Sequence, residues 1–320
     1  WILDDLAPLE HLAEAKAAEG AYLVPVKSEW LITSDNSPTS GTHAARDYAG
    51  ANPPMGTTVS YMLKAPARDL KLEITTPSGE VVRTLDAPTS AGLHHVPWDF
   101  RMDAPYSGPP QERQAPQGFG GFGGSGGSGG ALVVPGRYTA RLTAGGAPQE
   151  RTFTVKKDPQ LLLTDAQLAE LRDVRLRQLR LNARLTMAIR QSDELRDRIA
   201  QARTALDGAG APESVSRMAE ELRRDLDDIR TKLGAGGGGG FGGGSSDGPR
   251  SIRTLLGYAG GVNRANAMPT EQEMEALGLV PSRLDTEVAR LNAMVSERVP
   301  AFFRALDEAG VPWTPGRPIR

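Results

Sequence analysis

The sequence contains no cysteine, and only 5% of its 320 residues are aromatic. The first absence excludes a disulfide framework, a thiolate zinc site and a cysteine nucleophile. The second, set beside 37 glycines and 24 prolines, means that part of the length is not core. An excess of one charge is also missing. With 37 basic against 39 acidic residues the formal net charge is -2, which gives no global field to draw in nucleic acid or anionic lipid, so partners must be found by shape and local patches. No stretch approaches the roughly 20 consecutive apolar residues of a membrane helix, so no membrane-spanning segment is expected in it. The first residue is Trp1, and a signal peptide or anchor ahead of it is left open.

What is present falls into segments with different periodicities. Residues 1–52 read as an extended N-terminal arm, with a short helical piece near Leu6, Leu9 and Leu12, a strand-like Tyr22 to Val26, and a polar stretch from Thr33. Such a segment gains order by lying against something else, since alone it has little to bury. From Pro53 the period becomes two. Val59, Tyr61 and Leu63 alternate with polar neighbours, as do Leu70, Leu72 and Ile74. Pro77-Ser78-Gly79 turns into Val81–Leu85, and further strands follow at Gly92–Phe100, Gly136–Leu142 and Arg151–Val155. Several short strands with turn signals over 53–157 predict a small antiparallel, Ig- or fibronectin III-like β-sandwich, interrupted by a glycine-rich loop at 117–130.

Beyond Asp158-Pro159 the spacing becomes helical. Leu168, Leu171, Val174, Leu181, Leu185, Ala188, Leu195, Ile199, Ala202 and Leu206 recur on one face, and from Leu181 the steps alternate four and three, with Ser192 in one seam position. That is a heptad contact of the coiled-coil kind. Gly208-Ala209-Gly210 ends the helix, and a second carries Val215, Met218, Leu222, Leu226 and Ile229; the short connection predicts an antiparallel hairpin. After a glycine-rich linker at 234–246 come a short amphipathic piece at Ser251–Tyr258, another beginning at Thr270, and a last helix from Ser282 with Leu284, Val288, Leu291, Val295, Phe302 and Leu306. Pro300 should kink it. The expectation is a helical bundle over 158–310 and an extended tail at 311–320.

Candidate chemistry is sparse. His94 and His95 are adjacent in a strand and point to opposite faces, so they cannot share a metal. Asp99 and Asp103 flank Arg101, which suggests an ion pair or turn more than the paired carboxylates of glycoside hydrolysis. Gly121 to Gly126 matches a dinucleotide fingerprint in letters only, with no strand before it and no helix after it. Arg172, Arg175, Arg177, Arg180, Arg184 and Arg190 crowd one helical segment; a solvated face with intrahelical pairs accounts for them better than a nucleic-acid site. No catalytic set, cofactor site or metal site is expected. The contact elements expected for a partner are Trp1, Ile2, Leu3, Tyr22, Trp30, Phe119, Phe122 and Trp313.

Trp1–Leu9, Asn52–Tyr61, Gly79–Leu85, Gly92–Asp99, Pro135–Tyr138 and the helical hairpin after Asp158-Pro159 together resemble the C-terminal region of bacterial sortilin-like, BNR-repeat β-propeller proteins that carry a glycosyl-hydrolase-like label. The resemblance covers nearly the whole chain. It implies a last propeller strand, an Ig-like sandwich and a helical hairpin, together with an extracytoplasmic location. It implies no catalytic residue, because the propeller that would hold a substrate is missing. The expected function is a non-enzymatic protein-interaction or scaffold subunit, extrinsic to a larger extracytoplasmic assembly, a membrane-bound one included. The alternatives are the accessory fragment of a propeller glycosidase-like or binding protein, and a carbohydrate-binding sandwich using aromatics such as Tyr61 or Trp98.

Overall fold

The structure is a computed structural model, which describes residues 5–32, 56–105, 130–209, 212–235, 250–260 and 267–311. It has β-sheets followed by a C-terminal helical region. Contacts divide it into two compact units that part inside a helix, at Leu176 and Arg177, beyond the Asp158-Pro159 junction expected from sequence. The difference arises because Leu168 and Leu171 are buried in the first turns of that helix, which cluster with the β unit.

The β unit opens with two short helices, α1 (Ala7–Glu10) and α2 (Leu12–Ala17), followed by β1 (Ala21–Leu23), β2 (Trp30–Leu31), β3 (Thr57–Leu63), β4 (Leu70–Thr75), β5 (Val81–Leu85), β6 (Gly92–Trp98), β7 (Gly136–Ala144) and β8 (Gln149–Lys157). One sheet has the order β1-β3-β6 and the other β2-β8-β7-β4-β5. The period-two runs behave as their spacing predicts. Val59, Tyr61 and Leu63 point inward with Leu72, Ile74, Tyr138, Ala140 and Leu142, and side chains from both sheets meet in one core. Two findings correct the sequence reading. Residues 21–31 are not an arm, because β1 pairs antiparallel with β3 and β2 pairs parallel with β8, burying Leu23, Val24 and Leu31. And because β2 is parallel to its neighbour, the larger sheet is mixed and not purely antiparallel. Glycine is obligatory at one corner. Gly56 has φ +112, and a Cβ there would lie 1.9 Å from the Trp98 carbonyl oxygen, too close for any side chain.

The helical unit uses α3 (Asp165–Ala209, which begins in the β unit), α4 (Glu213–Leu233), α5 (Ile252–Tyr258), α6 (Glu271–Ala293) and α7 (Val299–Glu308). The seam expected on α3 is present. Leu181, Leu185, Ala188, Ser192, Leu195, Ile199, Ala202 and Leu206 are all buried. Ion pairs Arg203–Glu220 and Arg230–Asp193 join α3 to α4. As one number rises the other falls, so the hairpin is antiparallel. Gly234 caps α4 with φ +86, and a Cβ there would meet Arg253 and Ser251 at 2.7 Å.

The last helix departs from expectation in two ways. It does not begin at Ser282. A capping box of Thr270 and Glu273 starts α6 at Glu271, and the helix runs through Pro281. Two satisfied N-terminal amides and a buried face of Leu277, Val280 and Leu284 outweigh the one hydrogen bond a proline removes. Just before Pro300, where a kink is expected, the helix takes a π-helical turn, Met294–Arg298, and the proline stands in the first turn of α7. Proline lacks the N–H of the regular ladder, and the wider turn accommodates that loss. The wider turn also shifts the phase of the apolar stripe. Met294 and Val299 are buried, while Val295, expected in the seam, is 37% exposed.

Candidate functional site

Most polar clusters in the β unit are used to hold it together. Ser60 and His95 face each other across β3 and β6, with Ser60 Oγ 2.8 Å from His95 Nδ1. The arrangement superficially pairs a hydroxyl with a base, but Ser60 is buried and cannot meet a substrate, so the contact is a cross-strand bond. His94, on the opposite face, packs its ring 5.2 Å from Tyr61 and bonds through Nε2 to the Ser90 carbonyl. The Asp99–Arg101–Asp103 group is a turn. Asp99 accepts from the Arg101 amide, Asp103 accepts from the Thr84 amide, and Arg101 donates to the Gly130 carbonyl. Among the described residues, no group of three or more acidic, histidine or cysteine side chains could hold a metal ion.

The arginines of α3 have separate fates. Arg190 pairs with Glu194 along the helix, Arg184 with Asp285 of α6, and Arg172 with Asp173. Burial, and then the neighbouring Arg101, push the Arg175 guanidinium down to about 10. These four are structural charges, each in its own setting.

The expected contact residues divide three ways. Trp1, Ile2, Leu3, Phe119, Phe122 and Trp313 lie outside the described residues, as does the Gly121–Gly126 match. Tyr22 is occupied internally. Its hydroxyl donates to Glu14, Arg151 stacks over its ring at 5.6 Å, and the bond from Tyr22, followed by that from His11, holds the Glu14 carboxyl below its ordinary range. Trp30 is available. It is 42% exposed on β2, the outermost strand of its sheet, next to Ile32 at 57%, with Lys156 Nζ 5.3 Å over the ring. Tyr61 and Trp98, the aromatics considered for glycan binding, are instead 0% and 1% exposed. They alternate inward on β3 and β6, and their polar tips are satisfied by the carbonyls of Pro88 and Arg101. No sugar ring can stack on them.

A second surface was not foreseen from sequence. In the helical unit, α5 packs on α6, and between them runs a groove of about 450 Å³ lined by Arg250, Leu255, Tyr258, Gln272, Glu275, Ala276, Leu279 and Arg283. Ser251 caps α5 by accepting from the Thr254 amide, and the buried Gln178 amide donates to the carbonyls of Leu256 and Ala259 at the other end. That fixes the helix and with it the Tyr258 ring, which is 55% exposed. The amphipathic pattern of 251–258 was visible in the sequence, but its pairing with α6 was not, because no local period encodes which helix an apolar face meets.

No protein-family profile, curated protein or solved structure matches the chain. Among the described residues no helix is long and apolar enough to cross a membrane.

Proposed function

We propose that the chain is a non-enzymatic protein-interaction or scaffold subunit, extrinsic to a larger extracytoplasmic assembly, a membrane-bound one included. The observation that carries this reading is the Trp30–Ile32 edge. A tryptophan and an isoleucine stand exposed at the rim of a sheet whose last strand has, among the described residues, a neighbour on one side only. Exposed aromatics of this kind act as interface anchors, and a one-sided strand can accept another. The β unit, with two sheets around one core, is read as a variant of the Ig- or fibronectin-like sandwich in which the N-terminal segment supplies strands to both sheets. The extracytoplasmic placement rests on the resemblance to the sortilin-like propeller proteins. On that resemblance the chain corresponds to their accessory region.

The test is to solubilise the native membranes gently and follow the chain by sedimentation, with Trp30→Ala and Ile32→Ser as variants. The reading expects the chain to travel in a particle heavier than itself and the double variant to weaken retention at least tenfold, the effect of losing one interface anchor. A chain that sediments alone, or a variant retained as well as the native sequence, contradicts it.

A further inference from the structure

We infer that the groove between α5 and α6 receives a partner segment in which carboxylate side chains alternate with apolar ones. The inference begins from charge. Along the same helical run Arg290 pairs with Asp228 and Glu287, and Arg298 pairs with Asp225. Arg250 and Arg283 differ from them. They line one groove, and among the described residues neither has an acidic partner. What they have is each other and an aromatic ring. The Arg283 guanidinium donates to the Arg250 carbonyl at 3.3 Å, and the Arg250 guanidinium stacks 4.2 Å from the centre of the Tyr258 ring. Both are thereby pre-positioned, and among the described residues most of their N–H donors stay unspent, the arrangement that favours bidentate capture of a carboxylate.

The rest of the lining argues for a peptide over a small anion. Leu255, Ala276 and Leu279 form an apolar floor, with Leu279 41% exposed, and an inorganic anion would make no use of it. Gln272 and Glu275 stand one helical turn apart on α6 and offer a mixed donor–acceptor and an acceptor, which suit the carbonyls and amides of an extended backbone. Glu275 reduces the excess of positive charge in the groove to about one. The selectivity expected is therefore for a few well-placed carboxylates and not for a polyanion.

This deepens the interaction reading and rests on it, but it concerns a different surface, so either surface can fail alone. The probe is a fluorescein-labelled hexapeptide alternating glutamate and leucine, compared with its glutamine–leucine counterpart, titrated into the full chain at about 20 and about 200 mM salt. The expected result is anisotropy-detected binding of the acidic peptide at least tenfold tighter than the neutral one, weakened by salt, and weakened at least tenfold by Arg250→Gln with Arg283→Gln. Hydrogen exchange should slow in 252–258 and 272–283 on peptide addition. Tyr258→Ala, which removes the stacking platform, should weaken binding in the same sense and provides a second variant should the double one fold poorly. Equal affinity for the two peptides, no binding up to about 1 mM, or protection that appears elsewhere would overturn the proposal. So would phosphatidylglycerol vesicles that bind the chain through the same arginines when the peptide does not, since the groove would then be a lipid site.

Discussion

The β unit gathers four of its aromatics into one cluster, whereas the helical unit spreads its cohesion over leucines and inter-helix charges. In the β unit, Trp98 meets Phe100, Tyr138 and Phe153 with ring centres 5.2, 5.8 and 5.9 Å away, each edge to face. In the helical unit, the seam of α3 and α4 is mostly leucine, isoleucine and alanine, and the polar links are Arg230–Asp193, Arg290–Asp228, Arg298–Asp225 and Arg184–Asp285. Rings supply strength through area and shape. Exposed ion pairs contribute little strength each, but they penalise the wrong alignment of helices whose apolar faces would tolerate a slip. Ser192 belongs to that second logic. It is a hydroxyl in a leucine seam, and it donates to the Ile189 carbonyl and accepts from Arg230, so the seam closes only in the register that brings Arg230 to it.

The sharpest way to break this contrast is Trp98→Ala. Removing the ring that three others touch should cost about 3–5 kcal/mol, and hydrogen exchange should show the loss in β3, β6 and β7 while α4 and α6 keep their protection. Next in size is Asp193→Ala, which leaves the buried Arg230 cation without its carboxylate. Because Asp193 is itself 43% exposed, the expected loss is reduced from the fully buried case to about 1–2 kcal/mol. Arg230→Met keeps the volume and removes the charge, so chemical denaturation should find it less harmful than Asp193→Ala. If the two are reversed, the pair supplies strength and not register. Smaller again is Thr270→Ala. It removes one half of the capping box of α6 and should cost about 1 kcal/mol, read as a lower denaturation midpoint with an unchanged slope.

The gentlest perturbation is pH, which should separate the units without a mutation. Burial pushes the Tyr61 and Tyr138 hydroxyls up to about 12. Between their ordinary value of 10.0 and about 12, the unfolded chain releases protons that the folded one retains. The β unit should therefore keep full stability below pH 10 and lose it as pH rises through that window. In the helical unit, bonds from Lys232 and then Arg290 hold the Asp228 carboxyl below its ordinary 3.8, and bonds from Arg223 hold Glu220 below 4.5. Those contributions are present above the ordinary carboxylate range and are lost as pH falls through the lowered values. Near-ultraviolet circular dichroism of the aromatic cluster should fail first in alkali, and helical ellipticity should weaken first in acid.

The strands, the α3 seam and its polar Ser192 were legible because each depends on a local period. The harder features depend on pairings that no local period encodes. The parallel attachment of β2 to β8 needs only two residues, Trp30 and Leu31, too few to show an alternation. The continuity of α6 through Pro281 was hidden because a proline signals a break, while the capping box and buried face that override it lie on either side. Val295 was misassigned because a π turn changes the period within a helix. Trp30 could be picked out by residue type, but whether an aromatic is exposed or spent depends on neighbours distant in sequence. Tyr22, used by Glu14 and Arg151, and Trp98, used by the core, show how residues of the same class reach opposite ends.

The central proposal is that this chain works by presenting surfaces to protein partners. Its most direct test is hydrogen exchange of the full chain, free and within its native assembly. The account predicts slower exchange on assembly around Trp30 to Ile32 and in α5 with the facing turns of α6, and unchanged exchange in the buried strands β4 and β7. Identical exchange in both states, or protection confined to β3 and β6 around Ser60 and His95, would contradict it.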